Sequence, residues 1–352
     1  FMKTLSKKGY LGMSWPKKYG GQEKSGIYDY LLGEELATEG APTPGKSVGS
    51  IGQTIIRHCS EKLKQEFLPK ILNAEIEFAL GYSEPSAGSD LASLKLKAER
   101  KDDGWLLNGQ KIWTSTAHLA DWIFCLVRTE PDAPKHQGIS FLLFRMDTPG
   151  IEIRPLVDMT GAANFNEVFF TDVRVPKDQI VGQRGQGWSV ANAILGHERG
   201  SLAPPDAAQS RLNGIIRLMQ TETIGGEKLI DNAIFRDRLM KIQGRVLALS
   251  FNDMRLLSAR INKTQDTKLA GMIVKLTGTE LRHELEALAI DVMGEIGLSY
   301  GDNPYTRGNG SWQYSYMFYL GLIIGGGTSQ IQKNIISERG LDMPKEPKVA
   351  AK

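Results

Sequence analysis

Phe78–Arg128 reads FALGYSEPSAGSDLASLKLKAERKDDGWLLNGQKIWTSTAHLADWIFCLVR, and the fold turns on how this stretch is read. An apolar run breaks at Ser83-Glu84-Pro85, and a loop of small residues follows, Ser86-Ala87-Gly88-Ser89-Asp90. Three short strand-like segments come next. Asn108-Gly109 sits between Trp105-Leu106-Leu107 and Lys111-Ile112-Trp113. Both residues of that pair adopt positive φ readily, so the spacing predicts a hairpin turn there. Taken alone, the stretch is a β-meander with a polar rim, and each feature singly reads as a turn or a surface hairpin.

Outward from this stretch the pattern changes. Residues 1–77 read as helical: Tyr28, Leu31, Leu32 and Leu36 recur at helical spacing, as do Ile51, Ile55, Cys59, Leu63 and Phe67. Pro69 punctuates the second of these helices near its end. From 78 to 187 strand signals dominate, at Trp122–Val127, Ile139–Arg145, Ile151–Pro155 and Glu167–Val175, with turns at Pro149-Gly150 and Val175-Pro176. From 188 to 352 long helices return, at Trp188–Gly196, Ala208–Met219, Phe235–Leu257 and Thr267 to about Met293. Leu281, Leu285, Leu288 and Val292 trace one apolar face. Helices, strands, helices make an α+β multidomain chain: an N-terminal α-helical domain (1–77), a middle β-barrel-like domain (78–187) and a C-terminal four-helix bundle (188–352).

Composition narrows the function classes. The 352 residues suffice for two or three domains, and 41% hydrophobic with 24% charged is ordinary globular composition. A net charge of +3 argues for neither nucleic acid nor a membrane surface. Cys59 and Cys125 lie far apart, which suggests no disulfide framework, and the five histidines show no metal-ligand spacing. No apolar run reaches the length of a membrane span and no secretory signal is visible. A reducing compartment fits, bacterial cytoplasm ahead of mitochondrial matrix. Gly40-Ala41-Pro42-Thr43-Pro44-Gly45-Lys46-Ser47 matches the P-loop pattern letter for letter. Pro42 and Pro44 remove two of the N–H donors such a cradle needs, and a helical segment precedes it where a strand belongs. It reads as an interhelical loop.

The order Tyr82-Ser83-Glu84-Pro85, Ala87-Gly88-Ser89-Asp90, Asn108-Gly109-Gln110-Lys111, Trp113-Thr114-Ser115 and Ala120-Asp121-Trp122 resembles the flavin-binding middle domain of the acyl-CoA dehydrogenases. The resemblance runs from about Gly9 to Met343, and it implies further helical sequence before Phe1. It implies FAD as cofactor and α,β-desaturation of an acyl-CoA thioester in fatty acid or related catabolism: a carboxylate removes the α-proton while a hydride leaves the β-carbon for flavin N5. On the family pattern Ser83 bonds the pyrimidine side of the flavin, Trp113 packs beside it and Ser115 donates toward N5. Tyr82, Gly327, Thr328 and Gln330 complete the expected cofactor set. Ser89 would contact the CoA arm and Arg199 the substrate.

Most members place the catalytic glutamate just before the Gly-Thr of a late loop, which here reads Ile323-Ile324-Gly325-Gly326-Gly327-Thr328. The expected position is Gly326, and glycine takes no proton. A minority branch puts the glutamate immediately before an arginine at the start of a bundle helix, and this chain has His197-Glu198-Arg199-Gly200. Glu198 is therefore the expected base. Enclosed beside an acyl chain and a flavin, its carboxylate would be desolvated and more basic. The Gly326 backbone N–H would help hold the thioester oxygen, and Thr328 would cap the helix that follows.

Two further departures bear on partners. Homotetrameric relatives lend a neighbour's FAD an arginine from Arg-x-x-Phe-Gly and a glutamine before Gly-Gly. Here Thr221 stands at the arginine, Asp291 at the glutamine and Glu295 at a glycine. Two acids host a pyrophosphate poorly, so a related second subunit in an α2β2 assembly is expected ahead of a homotetramer. An electron-transferring flavoprotein is the expected acceptor. The three glycines leave room for a branched, alicyclic, steroid-side-chain or dicarboxylic acyl group. A flavin-dependent monooxygenase or oxidase of the same fold, and a non-catalytic subunit, are the alternatives.

Overall fold

A computed structural model describes residues 1–201, 204–264, 267–301 and 303–347, with only the backbone course described for 196–201. The chain divides into two compact units. One comprises Phe1–Leu36 and Pro42–Glu198, the other Ala37–Ala41 and Arg199–Lys352.

The first unit opens with α1 (Met2–Lys7), α2 (Ile27–Thr38), α3 (Gly52–His58) and α4 (Glu61–Leu72). Ile51, Ile55, Cys59, Leu63 and Phe67 are all buried, but not along one helix. Cys59 turns extended (φ −83, ψ 158) and Ser60 caps α4 by accepting from the Leu63 N–H. The four-residue apolar spacing survives the break because both short helices present it to one core. Pro69 lies inside α4, which continues to Leu72.

Seven strands follow: β1 (Phe78–Gly81), β2 (Lys97–Arg100), β3 (Gly104–Lys111), β4 (Trp122–Arg128), β5 (Ile139–Arg145), β6 (Ile151–Leu156) and β7 (Phe165–Pro176). They form one sheet in the order β1-β4-β2-β3-β7-β6, with β5 on β4. β1 runs parallel to β4, while β3–β7, β4–β5 and β6–β7 are antiparallel. Burial on both faces explains the unbroken apolar runs of β4 and β5. Trp122, Phe124 and Leu126 of β4 join Leu63, Phe67 and Phe141 in a core shared with the helices. Their neighbours Ile123, Cys125 and Val127 meet Leu142, Trp105, Leu107 and Val173 in a second core, round which the sheet curls. The period of two along a strand sorts the side chains between these cores. Phe67 stands edge-on to Trp122 at 4.6 Å.

The hairpin expected at Asn108-Gly109 is not there. β3 runs straight through both residues, and the turn between β2 and β3 is one step earlier, closed by Lys101 N–H to Gly104 O (2.9 Å). Asn108-Gly109 is instead a bulge, where the β3–β7 register shifts. Asn108 Nδ2 donates to Asp172 Oδ1 (3.0 Å) and the Asp172 N–H returns to Asn108 Oδ1 (2.9 Å). Gly109, at φ +145, lies so close to Leu96 that a Cβ would come within 3.1 Å of its Cα. The pair's tolerance of positive φ serves a close backbone approach here, with no chain reversal.

α5 (Gly187–Ser201) leads into the second unit, which contains α6 (Pro205–Thr221), α7 (Ala233–Asn262), α8 (Lys268–Met293), α9 (Ser311–Ile324) and α10 (Ser329–Ile335). A two-stranded ribbon, β8 (Thr223–Ile224) with β9 (Glu227–Lys228), lies between α6 and α7. Pro205 starts α6 where no amide donor is needed, and Asn232 caps α7 by accepting from the Ile234 and Phe235 N–H groups. Leu281, Leu285, Leu288 and Val292 of α8 pack with Leu212, Ile215, Leu239 and Val246, so the periodic apolar face is the bundle's core. Glu286 is fully buried in α8, and Arg211 Nε donates to it at 2.7 Å while the guanidinium lies 3.8 Å over the Trp312 ring. No helix among the described residues is long and apolar enough to cross a membrane.

Candidate active site

In the first unit the expected flavin residues cluster on one rim. After β3 the chain leaves the sheet through Ile112, whose N–H donates to Ser83 O (2.9 Å), which ties the two loops together. Trp113 then takes φ +57, a left-handed conformation costly for a bulky side chain. Its neighbour holds it there: Thr114 and Asn166 exchange main-chain hydrogen bonds at 3.0 Å each way, and Asn166 Nδ2 adds a third to Thr114 O. The Trp113 indole is 59% exposed and meets Phe165 edge-on at 6.1 Å. Ser115 is exposed beside it, its carbonyl accepting from Lys46 Nζ (3.3 Å), which also reaches Thr116 Oγ1 (3.1 Å). Lys46 thus serves this rim, and Ser47 Oγ donates to Glu77 (2.6 Å), so the P-loop lookalike is a loop with both of its signature side chains engaged elsewhere.

Beneath the rim is an ion pair that sequence reading did not single out. Lys111 is fully buried; its Nζ donates to Glu84 Oε1 and Tyr82 O, both at 2.9 Å. Glu84 also accepts from the Lys95 (2.6 Å) and Leu96 (2.8 Å) N–H groups. The pair anchors the Tyr82-Ser83 turn to β3 and so fixes where Ser83 sits. The only available signal was Glu84 and Lys111 flanking the expected flavin residues. Ser89 is exposed on the adjoining loop, where Asp90 pairs with Lys135. Hydrogen bonds from Lys135 and then Ser93 hold the Asp90 carboxyl below the usual carboxylate range.

An exposed indole braced in a strained conformation, followed by the exposed Ser115 and tied through Ile112 to the Ser83 loop, suits a flat heteroaromatic ring with a polar edge. FAD fits this rim: Trp113 would cover its face, and Tyr82, Ser83 and Ser115 would line its polar side.

In the second unit α9 ends at Ile324 and the glycines run on into α10. Gly326 (φ +65) and Gly327 (φ +98) both take the left-handed region that only glycine enters freely. Thr328 caps α10, its side chain accepting from the Ile331 N–H at 3.2 Å. Gln330, two residues on, is exposed. Among the described residues the Gly326 N–H meets no acceptor. Asp291 and Glu295 are exposed at the end of α8, and Arg238 Nη2 donates to Asp291 at 2.7 Å. Thr221 bonds back onto its own helix, to Arg217 O and Leu218 O. The side chains of Glu198 and Arg199 lie outside the described residues; Glu198 belongs to the last turn of α5.

Residues 1–75, 79–173 and 185–341 match, in order, the N-terminal, middle and C-terminal domains of acyl-CoA dehydrogenase. The acyl-CoA dehydrogenase IpdE1 of Mycobacterium tuberculosis (strain ATCC 25618 / H37Rv) is 37% identical over 350 residues, covering 98% of this chain and 87% of that protein. Among solved structures, the "Tcur3481-Tcur3483 steroid ACAD" superposes with a TM-score of 0.89 at 30% identity, covering 98% of this chain and 88% of that one. The ChsE4-ChsE5 complex from Mycobacterium tuberculosis gives 0.88 at 32% identity, covering 98% and 89%. The chain belongs to the acyl-CoA dehydrogenase family, FAD-containing oxidoreductases that act on acyl-CoA.

Proposed function

We propose that this chain desaturates a bulky, steroid-derived acyl-CoA between the α and β carbons, with Glu198 as base. Bound FAD supplies the acceptor for the hydride that leaves the β-carbon. The chain's own residues do the rest. Glu198 takes the α-proton on a carboxylate oxygen, and the Gly326 N–H donates to the thioester oxygen as negative charge builds there. Donors aimed at developing charge are often the largest catalytic contribution. Ser83 and Ser115 orient the polar edge of the ring, Trp113 covers its face, and Ser89 and Arg199 meet the substrate.

The observation that carries this reading is a displaced carboxylate. The loop after α9 offers three glycines and no acid, while α5 carries Glu198 in its last turn. Likeness to a protein titled a steroid ACAD supports that acyl class.

A second, related subunit is part of the same proposal. Asp291 and Glu295 are poor hosts for a partner's pyrophosphate, although Arg238 offsets the first. Along α7, Met240, Leu247, Phe251, Met254 and Ile261 stay exposed at helical spacing, an apolar stripe of the kind subunit contacts cover. Two of the similar structures are titled as pairs of different chains. Electrons would pass on to an electron-transferring flavoprotein in a bacterial cytoplasm.

The test is anaerobic bleaching of the bound flavin by a panel of acyl-CoAs, for wild type and Glu198→Gln, alone and with a candidate partner chain. Glu198→Gln should lose at least about a thousandfold in bleaching rate while still binding ligand. Unchanged bleaching would reject Glu198. Full flavin occupancy and activity of the chain alone would reject the heteromer.

A further inference from the structure

The loop that presents Gly326 is held from within by more side chains than a helix-to-helix turn needs. Lys275, on α8, is fully buried. A lysine is almost never so placed unless its ammonium is satisfied. Its Nζ donates to Ile323 O at 2.9 Å and to Gly327 O at 2.7 Å. Ile323 lies in the last turn of α9, where carbonyls lack helical partners and the helix dipole favours a cation. Gln332, 1% exposed, donates from Nε2 to Gly326 O at 3.0 Å. Ser329 Oγ donates to Glu280 Oε1 at 2.8 Å.

Carbonyls on both sides of the Gly325–Gly326 peptide are therefore taken, while the amide of that peptide meets no acceptor among the described residues. Three consecutive glycines have the widest choice of backbone conformations. Buried side chains select one of them.

We propose that Lys275 is a positioning residue for the dehydrogenation: its ammonium, with Gln332, fixes the Gly325–Gly327 backbone so that the Gly326 N–H meets the thioester oxygen as the α-proton leaves. This rests on the reading of Gly326 given above. A preorganised donor contributes only while its direction is fixed, because a loop that must reorient gives back much of the gain.

The test uses the assembled holoenzyme as wild type, Lys275→Met and Gln332→Met. Three probes separate binding from chemistry. Octanoyl-CoA reports the anaerobic bleaching rate. 3-Thiaoctanoyl-CoA reports α-deprotonation through the long-wavelength charge-transfer absorbance of its anion with oxidised flavin. S-Octyl-CoA, which lacks the carbonyl, reports binding alone. Lys275→Met should retain flavin and bind S-octyl-CoA like wild type, yet bleach at least about tenfold more slowly and need a higher pH to develop the charge-transfer band. Gln332→Met should move the same way by less, so the answer does not hang on the folding of one variant. Wild-type bleaching and an unmoved band in Lys275→Met would overturn the proposal, as would an equal loss of S-octyl-CoA binding. If wild type itself binds S-octyl-CoA as tightly as octanoyl-CoA, the Gly326 reading falls and the inference with it. If wild type discriminates and Lys275→Met does so equally, the role of Lys275 alone falls.

Discussion

Among the described residues each unit fully buries one lysine beneath a loop that the resemblance singles out, and the two reach different acceptors. Lys111, beneath the Ser83 rim, shares the Glu84 carboxylate and takes one carbonyl, that of Tyr82. Lys275, beneath the glycine loop, sits against two main-chain carbonyls, one of them in the last turn of α9. In the first arrangement a cation and an anion join loops to a strand, and the anion also receives the Lys95 and Leu96 amides. In the second, a cation holds backbone directly. The sheet thus fixes its rim through a pair that either partner's loss would strand, while the bundle fixes its loop through several separate bonds.

The largest expected effect follows from that difference. Lys111→Met would leave Glu84 charged and buried with two amide donors, and stranding one member of a buried pair costs about 3–5 kcal/mol. Urea unfolding followed by tryptophan fluorescence should show this loss, with part of it recovered in Lys111→Met combined with Glu84→Gln. A Lys111→Met variant as stable as wild type would put both lysines in one class and remove the contrast.

A smaller effect is expected where the holding is divided. Thr328→Ala removes one cap from a seven-residue helix already tied by Ser329 to Glu280 and by Gln332 to Gly326. The loss should be about 1 kcal/mol. It should appear as faster amide exchange over Ser329–Ile331, with no change at β3 or β4. Protection lost throughout the bundle would mean that Thr328 is a keystone and the loop is not held piecemeal.

What the sequence made legible follows from where each signal lives. β4 and β5 were readable because unbroken runs of β-branched and aromatic residues have few other homes, and Leu281, Leu285, Leu288 and Val292 because a one-faced stripe needs a core. Ser83, Trp113 and Ser115 were singled out through the order of several motifs, which no local propensity encodes. The Asn108-Gly109 bulge was misread because the same two residues suit any positive-φ task, and only the approach of Leu96 and Asp172 decides which. Lys275 was invisible for a stronger reason. Its acceptors lie 48 and 52 residues away, and nothing in a lysine's own neighbourhood announces that it will leave water.

The smallest expected effect is one the two units should share, and so it checks the contrast from the other side. Each carries a histidine whose pKa burial pushes below the ordinary value: His58, with Arg57 adding repulsion, and His283, stacked on Tyr316 at 4.7 Å and partly compensated by hydrogen bonding to Tyr316 and by Glu284. In the unfolded chain both rings bind protons near pH ~6.5. The folded state resists, so within the window below that value the unfolded state holds more protons. Stability should therefore be fully present above about pH 6.5 and fall as the pH drops through that value toward the lower folded pKa values. The thermal midpoint of the holoprotein, followed across that range, should decline for wild type, and less steeply for His58→Asn or His283→Asn. Equal flattening by the two variants would mean that desolvation acts alike on both units, which leaves the contrast to the lysines and their partners. A midpoint that does not move below pH ~6.5 would mean that neither ring is held neutral by burial.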